Sequence, residues 1–136
     1  TSPTTFIDAA HNPHGAKALG AALDRDFDFA RLIGVLSIFA DKDAPGILTA
    51  LEPYLTEVVI TQNSSPRALD AYDLAETARD IFGEERVHVA DNLPGAYAQA
   101  VELAEDAEVQ SGSGIIITGS VVTAGDARAM FGKEPA

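Results

Sequence analysis

The 136-residue sequence contains no cysteine, which excludes disulfides and any mechanism that needs a thiolate. Basic residues are few: nine lysines and arginines stand against 21 aspartates and glutamates, giving a net charge of -12. So acidic a balance argues against a general nucleic-acid-binding protein, which would carry a basic face. Hydrophobic runs are short, and none approaches the roughly 20 apolar residues that span a bilayer. We expect no nucleic acid and no membrane among the partners, and the missing cysteine suits a cytoplasmic protein.

The first residues, 1–5, carry neither the basic nor the apolar segment of a signal peptide. A strand pattern begins almost at once, which favours a domain taken from a longer polypeptide. The length and a hydrophobic content of 46% fit one domain with a sizeable core. We therefore expect residues 1–136 to form a single domain.

Apolar, β-branched runs alternate with segments of helical period along the chain. Five strands are predicted, at residues 5–7, 32–39, 58–60, 86–89 and 115–117. Four helices are predicted to begin after the N-cap residues Asn12, Asp43, Asp70 and Asn92. Residues 121–131 fit either a short helix or a strand extension. Repeated strand–helix units predict an α/β, Rossmann-like three-layer domain with a mostly parallel sheet of about five to six strands.

Polar residues concentrate after the carboxyl ends of the predicted strands, where ligands bind in sheets of this kind. The segments concerned are residues 8–13, 40–43, 61–67 and 118–120. Loops are polar in general, but this density of His, Asp, Lys, Asn and Ser at one edge favours a binding site.

Each candidate residue also has a purely structural explanation. Asp8 could accept hydrogen bonds from ribose hydroxyls, or it could cap the turn that follows it. His11 could stack on a base or donate to a carboxylate, or it could only mark the helix entry. Lys42 and Arg67 could bind anions, or they could lie in a solvated turn and beside a helix. Ser120 could donate to a carboxylate with the amides near Gly119, or cap the last element.

The motifs of self-sufficient catalysis are missing. The sequence has no CxxC or HExxH, so a metal site held by this chain alone is not expected. It has no GxxxxGK[ST] loop for a triphosphate, no GxGxxG fingerprint and no GxSxG elbow. These residues support binding more readily than an enzyme that acts alone.

The segment DAAHNP, residues 8–13, is similar to the motif that opens the C-terminal domain of folylpolyglutamate and dihydrofolate synthases in the Mur ligase superfamily. Three more motifs follow in the family's order: LIGVL with DKD within residues 32–43, TQNSSPRAL at 61–69, and TGS at 118–120. The segment with TQNSSPRAL closely resembles actinobacterial members. Ala9 replaces the commoner glycine, and residues 37–39 delay the DKD loop, which puts the geometry of that loop in question.

The resemblance implies the C-terminal domain of an ATP-dependent ligase that adds L-glutamate to dihydropteroate or tetrahydrofolate. ATP would activate the folate carboxylate as an acyl phosphate, assisted by Mg2+ and often by K+. In the family these groups are held mainly by an N-terminal P-loop ATPase domain of the same polypeptide, which the 136 residues do not include. The resemblance therefore implies a domain that is inactive alone, in an enzyme expected to be monomeric.

The resemblance also carries residue roles, with no catalytic residue and no metal ligand assigned to this domain. Asp8 and His11 would bind ATP. The glutamate-binding residues would be His11, Asp41, Lys42, Arg67 and Ser120. The alternative hypothesis is a stand-alone, non-catalytic α/β module that binds a nucleotide or a protein.

Overall fold

The structure, a computed structural model, describes residues 3–105 and 112–132. Its strands are β1 (Thr4–Ile7), β2 (Arg31–Leu36), β3 (Glu57–Ile60), β4 (Val87–Val89) and β5 (Ser113–Thr118). Its α-helices are α1 (Pro13–Asp26), α2 (Ala44–Leu51), α3 (Ala71–Phe82), α4 (Leu93–Glu105) and α5 (Val121–Gly132). Two short 3-10 helices cover Glu52–Tyr54 and Glu84–Arg86.

The described strands form one parallel sheet in the order β1-β5-β2-β3-β4. Side chains alternate between its two faces, as the period of a strand requires. Leu36, Ile60 and Ile116 pack on the side of α1, α2 and α3. Val35 and Ile117 pack on the side of α4 and α5. The prediction of a three-layer α/β domain with a parallel sheet is confirmed.

The four predicted N-caps are in place. The side chain of Asn12 accepts a hydrogen bond from Gly15 N at 2.7 Å, and that of Asn92 accepts one from Gly95 N at 2.8 Å. The carboxylates of Asp43 and Asp70 cap α2 and α3 in the same way. Each cap satisfies a main-chain donor that the helix leaves unpaired, and so fixes where each helix leaves the edge of the sheet.

The predicted end of the second strand is wrong, and the segment left open between helix and strand is a helix. The second strand ends at Leu36 rather than Phe39, because Ile38 O accepts from Leu69 N at 2.8 Å and Ala40 N donates to Arg67 O at 2.8 Å. Residues 37–39 are nonetheless buried, which is why their apolar pattern resembles a strand. Residues 121–131 belong to helix α5, and residues 133–136 lie outside the described part.

In the described ranges, no helix is long and apolar enough to cross a bilayer.

Candidate functional site

The carboxyl edge of the sheet has a topological switch between two neighbouring strands. β2 and β5 pair side by side, yet α2 packs with the helices on one face and α5 packs on the other. The loops after these strands therefore diverge, which is the arrangement that opens a ligand crevice in α/β sheets. Residues 37–43 and 119–120 lie at this crevice.

Asp8 and His11 occupy the turn between β1 and α1. Asp8 extends the hydrogen bonding between β1 and β5, because its N–H donates to Ile117 O at 3.0 Å. Its carboxylate accepts from Ala10 N at 2.8 Å, so it caps the turn as the structural explanation requires. His11 is exposed, and its Nδ1 lies 3.0 Å from Ala9 O. Both side chains thus make their contacts within the turn itself.

Asp41 and Arg67 lie in different loops but meet in the structure. Arg67 Nη2 donates to Asp41 Oδ2 at 2.8 Å, and the guanidinium carbon lies 4.3 Å from the ring centroid of Phe39. Both charged side chains are more than half exposed. The neighbouring Lys42 is exposed too. These loops therefore present two cations beside one carboxylate, with the planar arginine fork held in place.

The Arg67 hydrogen bond should be visible in the titration of Asp41. The guanidinium holds the pKa of the Asp41 carboxyl below its usual value, with Lys42 adding a smaller charge effect. We expect NMR titration to give a low midpoint for Asp41, and Arg67→Ala to raise it toward the ordinary aspartate value. Lys42→Ala is the matched control and should raise it less. Equal shifts in the two variants would contradict the assigned contact.

Ser120 is buried, with 1% of its surface exposed, and caps α5. Its Oγ accepts from Thr123 N at 2.9 Å and from Asn63 Nδ2 at 3.1 Å. It also lies 2.9 Å from Thr123 Oγ1. Its hydroxyl therefore serves the protein interior in this structure, while the adjacent Gly119 carries the turn with a positive φ of 122°.

A groove of about 600 Å³ lies beside this cluster, at the ends of β3 and β4. Its lining includes Gln62, Asn63, Asn92, Asp126 and Met130. Asp126 is already engaged, since its carboxylate accepts from both the N–H and the hydroxyl of Ser64 at 2.7 and 2.9 Å. No group of three His, Cys, Asp or Glu side chains among the described residues could hold a metal ion.

Residues 1–121 match the family model described as "Mur ligase, glutamate ligase domain". The chain belongs to this family.

Similar proteins extend the comparison. The sequence is 52% identical over 143 aligned residues to the dihydrofolate synthase/folylpolyglutamate synthase of Mycobacterium tuberculosis, covering 99% of this chain and 29% of that protein. The solved folylpolyglutamate synthase of M. tuberculosis complexed with ADP has a TM-score of 0.93 at 54% identity, covering 98% of this chain and 31% of that one. A Yersinia pestis enzyme complexed with AMPPNP and Mn shares the fold at 24% identity, with a TM-score of 0.77 over 94% and 28% of the chains.

Membership of the Mur ligase glutamate ligase family confirms the resemblance carried by the four sequence motifs. It does not favour a stand-alone binding module, because the match to the M. tuberculosis synthase runs through nearly the whole chain. The chain spans less than a third of the length of these relatives. The roles of Asp8, His11, Asp41, Lys42, Arg67 and Ser120 remain predictions.

Sequence reasoning gave no role to the residues that surround Ser120. Ser37, Asn63 and Thr123 come from three separate segments and are all buried. Asn63 lies inside the TQNSSPRAL motif. The motif indicates that this segment matters, but it does not show which of its side chains faces inward. Its partners are 26, 57 and 60 residues away in sequence, and no local spacing could connect them.

Proposed function

We propose that this chain supplies the C-terminal domain of an ATP-dependent ligase that adds L-glutamate to dihydropteroate or tetrahydrofolate. The supporting observation is the 52% identity to a dihydrofolate synthase/folylpolyglutamate synthase across 99% of the chain. The M. tuberculosis folylpolyglutamate synthase, 54% identical to this chain, was solved with ADP. This supports the proposal that the full-length enzyme uses a nucleotide. The candidate residues lie on the carboxyl edge, where such a domain would face its ligands.

The proposed reaction has two steps. A carboxylate oxygen of the folate substrate attacks the γ-phosphorus of ATP, forming an acyl phosphate and releasing ADP. The amine of L-glutamate then attacks the acyl carbon, and the tetrahedral intermediate expels inorganic phosphate to leave an amide. Most of the catalysis is positioning and stabilisation of charge. A domain that contributes one wall of the cleft can therefore matter without supplying a nucleophile.

On the nucleotide side, Asp8 and His11 would bind ATP. The Asp8 carboxylate keeps further acceptor capacity after its one hydrogen bond to Ala10 N, because an ionised carboxylate has about four lone-pair sites. Ribose hydroxyls are suitable donors for those sites. His11 is exposed in the same turn. By its place in the family motif it would lie between the nucleotide and the incoming glutamate.

On the glutamate side, Lys42 and Arg67 supply the charge that a dicarboxylate needs. The chain as a whole carries a net charge of -12, so an anionic amino acid must be met by local cations. Asp41 holds the guanidinium of Arg67 at 2.8 Å and would itself face the substrate amine. His11 and the turn at Ser120 complete the set.

Phosphate and metal binding would fall to another domain of the same polypeptide. The sequence has no P-loop, and the described residues contain no cluster suited to a metal ion. Mg2+, and K+ where used, would neutralise phosphate charge in the N-terminal ATPase domain.

The proposal is tested by measuring ADP release from the full-length gene product. Release should require both L-glutamate and a pterin substrate, dihydropteroate or tetrahydrofolate. His11→Ala should lower it by about 10²-fold, the loss expected when a positioning contact is removed. His14→Ala is the matched control, since His14 is also exposed, lies three residues further on in α1 and is given no role.

The 136-residue chain alone should release no ADP. Robust release by that chain would contradict the proposal that phosphate binding belongs to another domain. Release by the full-length protein that needs neither glutamate nor pterin, or no release at all, would replace the ligase with a binding module.

A further inference from the structure

We propose that Asn63 is a positioning residue for the glutamate side of the site, acting through the turn at Gly119 and Ser120. The inference rests on the proposed ligase function and deepens it. Asn63 is 7% exposed, follows the end of β3, and contacts the loops after both β2 and β5. Its side chain holds the turn after β5, and its main-chain N–H holds the loop after β2.

Both N–H groups of the Asn63 side-chain amide donate to residues at the beginning of α5, on the β5 side of the crevice. Nδ2 donates to Ser120 Oγ at 3.1 Å and to Thr123 Oγ1 at 3.0 Å, at the beginning of α5. The main-chain N–H of Asn63 donates to Ser37 Oγ at 2.8 Å, just beyond β2. A single residue in the loop after β3 therefore contacts both walls of the crevice.

The hydrogens of this cluster can be assigned one by one. Thr123 Oγ1 donates its only proton to Ser37 O at 2.9 Å, so the contact between the two hydroxyls must use the proton of Ser120. Ser120 Oγ meanwhile accepts from Asn63 Nδ2 and Thr123 N. A hydroxyl offers one donor and two acceptor sites, so that of Ser120 is fully engaged.

The saturated hydroxyl changes the way in which Ser120 can serve glutamate. With its hydroxyl saturated and buried, the residue would contact a ligand through the main chain of its turn. The position of that main chain is set by the cluster, since Gly119 lies against Ser37 and the hydroxyl of Ser120 is held by Asn63. Asn63 would therefore act on substrate affinity without touching the substrate.

Asn63 also reaches the loop that carries the arginine on the glutamate side. Its Oδ1 accepts from Ser65 N at 3.0 Å, and Ser65 Oγ in turn accepts from Arg67 N at 3.1 Å. The same side chain is thus linked to both protein groups expected to hold the glutamate carboxylates. Loss of Asn63 should displace the two together.

The test compares variants of the full-length ligase by steady-state kinetics. Asn63→Asp keeps the shape and the Oδ1 acceptor but removes both amide donors. Thr123→Val removes one of their acceptors, together with the bonds from the Thr123 hydroxyl to Ser120 and to Ser37 O. Each should raise the KM for L-glutamate about tenfold while kcat and the KM for ATP stay within about threefold. Ser64→Ala is the matched control, because its hydroxyl bonds Asp126 outside the cluster and should leave all three constants unchanged.

The outcomes separate the possible failures. If the wild-type enzyme shows no glutamate-dependent release of ADP, the proposed function fails before Asn63 is tested. If it does, and the variants keep the wild-type KM for glutamate, the positioning role is overturned. Equal effects on glutamate and ATP would show a general structural role and also overturn it. Should Asn63→Asp not fold, Thr123→Val decides alone, since valine retains the volume of threonine.

Discussion

Replacing Gly119 by alanine should lower the free energy of unfolding by at least ~3 kcal/mol, which would put it among the most damaging single changes in the chain. Gly119 has φ of 122°, a backbone conformation that residues with a Cβ rarely adopt. That conformational penalty alone amounts to about 1–3 kcal/mol. The turn cannot relax to a commoner conformation without moving the start of α5.

A steric clash adds to the conformational penalty. A Cβ at Gly119 would lie 2.2 Å from Ser37 O and within 3.2 Å of two more main-chain atoms of Ser37. Rotating a side chain cannot relieve this overlap, since the atoms belong to the backbone. Ser37 is itself held by Asn63 N and by the hydroxyl of Thr123. The strain should therefore spread through the buried cluster rather than dissipate.

Urea unfolding of the chain measures the effect, and Gly125→Ala supplies a matched control. Gly125 lies six residues further on, inside α5, where an added Cβ meets nothing within 4 Å. Alanine there should stabilise the chain by about 0.5–1 kcal/mol through helix propensity. The two substitutions are chemically identical and should have opposite signs. Similar effects at both positions would mean that the turn is not constrained as described.

Much of the fold could be read from periodicity and caps. Runs such as Ile115–Ile117 identify buried strands, and Asn12 with Pro13 marks a helix start, because both signals are local and tied to a fixed spacing. The parallel arrangement follows from the length of the connections. Local patterns did not locate the end of β2, since Ile38 and Phe39 are as buried as strand residues while pairing with another loop.

The candidate site could be predicted only in outline. The carboxyl edge and its polar residues follow from the fold class, and the motifs add roles by resemblance. The contact between Asp41 and Arg67 joins loops 26 residues apart, and only packing decides that they meet. For Ser120 the sequence left ligand binding and helix capping open. The structure shows the cap, because burial beside Asn63 gives the hydroxyl protein partners.

Arg86 shows how a structural role can be hidden in a strand pattern. The sequence assigned it to the beginning of the fourth strand, whereas it ends a 3-10 helix and β4 begins at Val87. All five of its N–H groups donate. Their acceptors are Thr56 O, Glu52 Oε2, Glu52 O, Leu55 O and Phe82 O, at distances from 2.7 to 3.4 Å. Its guanidinium carbon also lies 4.9 Å from the ring centroid of Phe82.

Arg86→Ala should therefore reduce the free energy of unfolding by about 2–4 kcal/mol. The ion pair with Glu52 is a third exposed and contributes little of this, because solvent screens it. The larger part comes from the main-chain carbonyls at the end of α3 and before β3, which lose a charged donor that water replaces only in part. The measurement is again the urea midpoint and slope of the chain.

Two further variants isolate the cause of that loss. Arg86→Lys keeps the charge but not the five-donor fork, so it should recover less than half of the lost stability. Arg25→Ala is the control. The Arg25 side chain is 71% exposed, and it pairs only with its sequence neighbour Asp26 among the described residues. That change should leave the urea midpoint of the chain essentially unchanged. Full recovery by lysine would show that charge, rather than the geometry of the fork, joins the end of α3 to the beginning of β3.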